Sequence, residues 1–411
     1  VRLSLLVVAV VALCGSLVYA AGSSQEQLLG AIAHSPPESQ QLRRRGWSLI
    51  APVAKLPDTG AVSGWYNEAE IFAREAVADN ATRRPFPGRP IGAAAGPGQR
   101  LQHIADAPVI TFVHYNGDAY EHIRRHRLYR DERLAELARS GRPDPVYAGL
   151  REIPPLPSGA RVMMSAWWPV AAGGGTPLPV WDPEDVARPG GSNDYTSWRR
   201  VVVVDGGDPA EGARAVTFAG RYFATARGIS LERFVRLPVD RGLAEDLMED
   251  SGARKAAFLA LARPLQAGDV LVLVAFHLMA PDAGAGTWTT AWWHDRPDDG
   301  VFGADRPLVV SGAWRNYLMD VAVDPVRPLG RDASPHICFN PWFEAKFPDG
   351  GQGNGLQSNC VNCHERASYP LTAFLPVRRG AADPVNDPAF APGRLRTGRL
   401  WSLANPPAEL R

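Results

Sequence analysis

Residues 360–364 read Cys360-Val361-Asn362-Cys363-His364, the one stretch whose residue types and spacing are specific enough to name a chemistry. Two thiols three positions apart can each add to a vinyl group of a porphyrin. The imidazole that follows at once is then placed under the iron as its proximal ligand. C-x-x-C by itself admits other uses. Cys338, Cys360 and Cys363 with His336 make a Cys3His set suited to tetrahedral zinc, and Cys360 with Cys363 make a redox pair. The adjacent histidine favours one covalently attached haem c, with Cys360 and Cys363 as anchors and His364 on the iron.

The N-terminal residues agree with that chemistry. Arg2 is the sole charged side chain ahead of an uncharged, mostly apolar run from Leu3 to Ala21, and Val18-Tyr19-Ala20 offers the small residues a signal peptidase reads. The expectation is a signal peptide over 1–20 and a periplasmic or otherwise exported protein. The same segment kept uncleaved would be a membrane anchor, and Cys14 makes a partial match to a lipid-attachment signal. Without Cys14, the three cysteines left are a poor count for a disulfide framework and a natural one for two haem anchors and a buried thiol.

Composition is that of a globular chain: 411 residues, 45% hydrophobic, 21% charged, net charge +1. So small a net charge gives no field for nucleic acid or an anionic membrane surface. Forty glycines and 37 prolines favour turns and loops over long helices. The pattern divides the chain into 21–99, helical and then a Pro/Gly-rich linker over 83–98; a β-rich domain over 100–325; and a loop-rich haem c segment over 326–411. In the first part, Ala69, Phe72, Ala73 and Ala76 fall on one helical face of a segment at 67–78. Strands are expected at 109–115, 161–168, 198–205, 215–218, 269–278 and 287–294, all β-branched or aromatic and bounded by Gly, Pro or Asp. A helix is expected over 118–140, capped by Asp118, supported by Glu121 four before Arg125, and ended by Gly141. A short helix or turn is expected at 230–235. The fold class is therefore mainly β (α+β): a β-sandwich-like body with the haem-attachment segment at its C-terminal side.

Residues Cys360, Cys363 and His364 resemble the attachment motif of c-type cytochromes, and the resemblance is confined to them. It implies thioether bonds at the two cysteines, His364 as proximal ligand, and a redox partner protein. The chain departs from the small soluble cytochromes c, where the motif opens a helical domain and a methionine downstream completes the iron. Here 47 residues follow His364 (411 minus 364), and they hold no Met, His, Lys or Cys. The distal ligand then comes from upstream or the iron keeps an open face. His336 is the first distal candidate, 24 residues before Cys360. His277, in an apolar strand, more naturally hydrogen-bonds a core neighbour. His294 would share a strand face with Trp288 and Trp292, and Met319 is a soft donor in core-like sequence.

Other constellations carry less. His122 and His126 are i, i+4 on the expected helix, without the intervening Glu of a zincin and beside two arginines. Each of the pairs Trp167-Trp168 and Trp292-Trp293 should send one ring to each face of its strand, as core or as an aromatic wall around a ligand. Asp182, Glu184 and Asp185, and Asp295, Asp298 and Asp299, form acidic loops without an EF-hand ladder, expected to be solvated. Three functions follow: one-electron transfer; a haem enzyme whose open face takes a small oxidant or nitrogen oxide; and a sandwich that binds a small-molecule ligand or partner with haem as an attachment.

Overall fold

The computed structural model describes residues 37–54, 64–75, 108–182, 185, 195–206, 212–281, 286–325, 336–344, 359–371, 385–404 and 406. The expected signal segment, Cys14 and the 83–98 linker lie outside these residues. No described helix is long and apolar enough to cross a membrane.

The frame is a seven-stranded antiparallel sheet. Its order is β1 (Tyr66–Asn67), β2 (Ile110–Tyr115), β5 (Val162–Val170), β11 (Val270–Ala280), β12 (Thr287–Trp293) and β13 (Tyr317–Ala322), with β10 (Arg236–Pro238) beside the first half of β11. β11 forms because Val270 to Ala280 is an almost unbroken apolar run. It lies at the centre, flanked by β5 on one side and by β10 and then β12 on the other. A bulge between Leu273 and Ala275 adjusts its register with β5. Between strands 2 and 5 of the chain come β3 (Arg142–Pro143) and β4 (Arg151–Glu152). The second sheet has the order β6 (Gly175–Val180), β7 (Arg200–Asp205), β9 (Arg221–Ser230) and β8 (Ala213–Phe218).

Strand alternation sorts the large sheet into two faces. On one, Trp168 meets Phe218 of the second sheet edge-on at 6.0 Å between ring centroids, and Trp292 meets Trp181 at 5.6 Å. These contacts make the sandwich interior. On the other, helix α1 (Pro37–Val53) packs over β13 at Gly46, where a Cβ would stand 2.9 Å from the Met319 sulfur. Each tryptophan pair splits as expected: Trp167 lies beside Phe112 and Trp293 stacks on Phe234, away from the sandwich rings. The mainly β, α+β class read from the sequence is the class observed.

Two helical expectations change. Helix α2 (Glu68–Phe72) is one turn long, held by a capping box between Asn67 and Glu70, and the chain leaves it at Ala73. The single helix expected over 118–140 is two, α3 (Gly117–Arg125) and α4 (Asp131–Ser140), and Asn116 caps the first in place of Asp118. Between them Arg127 takes a left-handed φ of 55°. In one continuous helix Leu128 would stand about 140° round from Ile123. The break lets both sit fully buried in one cluster. Glu121 and Arg125 do pair, at 3.6 Å. β9 ends at Ser230, which caps a short turn over Leu231–Arg233. Helices α5 (Arg241–Glu249) and α6 (Ser251–Leu261) follow.

The C-terminal part is built from short pieces: α7 (Pro341–Glu344), α8 (Cys360–His364), β14 (Ser368–Tyr369), β15 (Leu395–Arg396) and α9 (Trp401–Ala404). They are stitched to the body. β15 pairs in parallel with β4 and antiparallel with β14, and the Tyr115 hydroxyl at the end of β2 bonds Ser402 Oγ at 2.6 Å.

One buried group sets an acid limit. His114 is 1% exposed, its Nδ1 meets no hydrogen-bonding atom among the described residues, and burial lowers its pKa to about 3. The unfolded chain takes up this proton near pH 6.5 and the folded one does not, so stability is lost as pH falls below that value. His114→Leu should lose about 2 kcal/mol less than wild type between pH 7 and pH 5 in urea unfolding. Equal losses in both would assign the acid sensitivity elsewhere.

Candidate functional site

The register of three central strands lays out the floor of the site. His277, Thr290 and Asp320 are direct neighbours across β11, β12 and β13, so their side chains form one polar row on the sandwich face. The next row along is Met279, Trp288 and Ala322. The 336–344 segment lies over the polar row. Asn340 donates to Thr290 Oγ1 at 2.8 Å and to the Ala291 carbonyl at 2.9 Å, and Glu344 accepts from the Asn340 backbone N–H. The buried row is thereby matched group for group, as a polar patch under a protein cover must be.

The motif is a single helical turn, α8. Asn359 caps it by accepting from the Val361 N–H at 2.9 Å, and its amide donates to the carbonyls of Asp324 (3.1 Å) and His336 (3.2 Å). At the other end Arg366 donates to the Asn362 carbonyl at 2.7 Å and pairs with Asp387. Cys360, Val361 and Asn362 are buried, while Cys363 and His364 are half-buried. The His364 ring lies 3.9 Å from Trp288 and has Trp401 edge-on at 6.5 Å. His364 Nδ1 is 2.8 Å from the Arg399 carbonyl. A carbonyl only accepts, so Nδ1 carries the proton and Nε2 holds a lone pair. Burial lowers the His364 pKa to about 3, which keeps the imidazole neutral. Neutral, with Nε2 free of the proton and the ring fixed through Nδ1, is the form that binds a metal.

The other groups of the motif face inward. Cys360 Sγ is 3.5 Å from Cys338 Sγ, and Cys338 pairs with Asn359 in an isolated parallel bridge. His277 Nε2 is 3.1 Å from Glu344 Oε1. Donor atoms of His277, Glu344 and Cys360 all lie within 4.8 Å of one another, as do those of Asp320, His336 and Cys338. Burial works against a charged His277, but the Glu344 carboxylate and the Cys360 thiol outweigh it and raise its pKa to about 10. Hydrogen bonding from Cys338 and the neighbouring His277 lower the pKa of Cys360, whereas burial raises that of Cys338, so Cys360 is the more acidic of the two. Burial pushes Cys363 up to about 12.

The sequence candidates thus separate. Cys360, Cys338, His277 and His336 come together, and His364 faces Trp288 one row away. His336 turns Nε2 to the Val321 carbonyl (3.3 Å) and Asp320 (3.6 Å). Met319 pairs with Ala291 and points to the opposite face, against α1. His294 follows β12 and lies in another network. Its Nδ1 accepts from the Arg296 N–H, which puts Nε2–H toward Asp182 at 3.4 Å. Arg200 bridges Asp182 and Asp295. The acidic loops divide: Asp182, Asp185 and Asp295 are buried arginine partners, Asp185 holding Arg199, whereas Asp298 and Asp299 are exposed as expected, with Asp298 also holding Arg306 and Arg315. Glu184 lies outside the described residues. His122 donates through Nε2–H to the Pro154 carbonyl at 3.0 Å, with His126 packed on it at 4.5 Å. Sequence reasoning missed Glu344 as the partner of His277; the available signal was three polar residues in register on otherwise apolar strands.

No family model matches the chain, and neither a curated protein nor a solved structure matches it.

Glu344→Gln leaves the charged His277 without its buried partner. It should destabilise the protein by about 3–5 kcal/mol at pH 7 in urea unfolding. His277→Gln added to it should recover at least half, by restoring a neutral pair. A loss below about 1 kcal/mol in the single variant would mean that the two groups are not an ion pair.

Proposed function

We propose that this chain is an exported haem c protein that transfers single electrons, with Cys360 and Cys363 as covalent anchors and His364 as the iron ligand. The observation that carries this reading is the His364–Arg399 hydrogen bond, because it fixes the tautomer and ring a metal requires. The two sulfurs are three residues apart on one helical turn, which ends in that histidine. Asn359 and Arg366 hold the turn at both ends, and Trp288 and Trp401 supply the apolar flank of a flat macrocycle. When bound, haem supplies the iron couple; the chain supplies axial ligation, burial and charge, the levers that set a potential. The charge of His277 acts on His364 and that of Glu344 on Cys363, so both can act on that potential. Export agrees with the apolar 1–20 segment, since haem c is attached outside the cytoplasm. A redox protein is the expected partner.

A second reading is structural zinc. It is favoured by the close approach of His277, Glu344 and Cys360 donors with Cys338 beside them. The donor set differs from the Cys3His set expected from the sequence, with His277 and Glu344 in place of Cys363 and His336.

Expression in a host that attaches haem c separates the readings. The expected product carries one tetrapyrrole mass on the peptide holding Cys360 and Cys363, and a low-spin six-coordinate ferrous spectrum. His364→Ala should abolish that spectrum. His336→Ala should do so only if His336 leaves Asp320 to reach the iron; an unchanged spectrum removes it as distal ligand. A high-spin spectrum that shifts with CO, NO or peroxide would favour the haem enzyme. A colourless chain with one zinc would sink the haem reading.

A further inference from the structure

We propose that Cys338 and Cys360 close into a disulfide in the haem-free chain, so that the first sulfur of the motif is stored in an oxidised bond before it is used. The storage role rests on the haem reading; the bond itself does not.

The geometry selects this pair. The sulfurs are 3.5 Å apart, both buried, and hydrogen-bonded to each other. Cys338 stands opposite Asn359 in a parallel bridge, so Cys338 and Cys360 sit diagonally on neighbouring backbones. That places their α-carbons within the span of about 4.4–6.8 Å that disulfides bridge, and the sulfurs need to close by about 1.5 Å to reach bonding distance. Side-chain rotation supplies that without parting the backbones. The rival partner, Cys363, lies three residues on in the same α8 turn, with its sulfur near Trp401. Nor does the proximal imidazole compete, since Arg399 holds it.

The oxidant is a small or protein disulfide that meets the chain as it folds. The Cys360 thiolate attacks one sulfur of that disulfide and expels a thiolate, giving a mixed disulfide. Cys338 then attacks the Cys360 sulfur and expels the second thiolate. Two protons and two electrons leave the chain, and one oxidant disulfide becomes two thiols. A thiol reductant reverses both steps and returns Cys360 for thioether formation. A sulfur in this bond cannot add to a vinyl group, and a sulfur in a thioether cannot rejoin Cys338, so the two states exclude each other.

The test uses the full-length haem-free chain, refolded with EDTA in mixed oxidised and reduced glutathione, alkylated, and digested without reductant. The expected map links the Cys338 peptide to the Cys360 peptide and leaves Cys363 alkylated. The link should persist in Cys363→Ser and vanish in Cys338→Ser. Should Cys338→Ser fail to fold, the wild-type and Cys363→Ser maps still decide. A Cys360–Cys363 link overturns the proposal. So does alkylation of Cys338, Cys360 and Cys363 alike in a chain whose circular dichroism matches the folded, reduced protein. Failure of the haem reading is seen separately, as absence of tetrapyrrole mass on the same peptide from the haem-attaching host, whatever the linkage map shows.

Discussion

A polar row buried in the middle of an apolar sheet governs this structure. His277, Thr290 and Asp320 sit in register on β11, β12 and β13. Leaving such groups under a hydrophobic cover would cost several kcal/mol each. What lies on them must therefore be polar too, and must be placed to within a hydrogen-bond length. Asn340, Glu344, His336 and the two sulfurs meet that demand. The short, irregular C-terminal pieces are held by this matching more than by their own secondary structure, since helices of four or five residues have little stability alone.

The same register divides labour across the face. The polar row receives Cys338 and Cys360, and the apolar row one pair further along receives His364 on Trp288. Strand alternation then excludes Met319, whose sulfur packs against α1 on the far side. The sequence alone leaves Met319 open because facing depends on pairing, and pairing is not local. The arginine-rich composition has a parallel use. Arg200, Arg296, Arg306 and Arg315 neutralise carboxylates at the ends of the second sheet and β12, where a planar fork can serve two acids at once.

Much of the body was legible because its strands are long, β-branched and central, where local pattern and burial agree. β7 and β12 fall within a residue or two of the expected limits. Helix 118–140 was misread because the cap, the Glu121–Arg125 pair and Gly141 mark its ends and not the break at Arg127, which the burial of Leu128 demands. Within the proposed site, the C-x-x-C-H spacing singled out Cys360, Cys363 and His364. Their surroundings were not readable, since Glu344, Arg399 and Trp288 approach from segments 20 to 76 residues away. Asp182, Asp185 and Asp295 looked solvated because nothing local in the sequence shows which arginine faces them.

The parallel pairing of β15 with β4 has a temporal side. Leu395 and Arg396 close on a strand some 240 residues earlier, and Arg399, just beyond them, carries the carbonyl that meets the ring of His364. During synthesis the motif emerges before the strand that finishes its setting. Until that strand is added, the imidazole lacks the acceptor that fixes its tautomer.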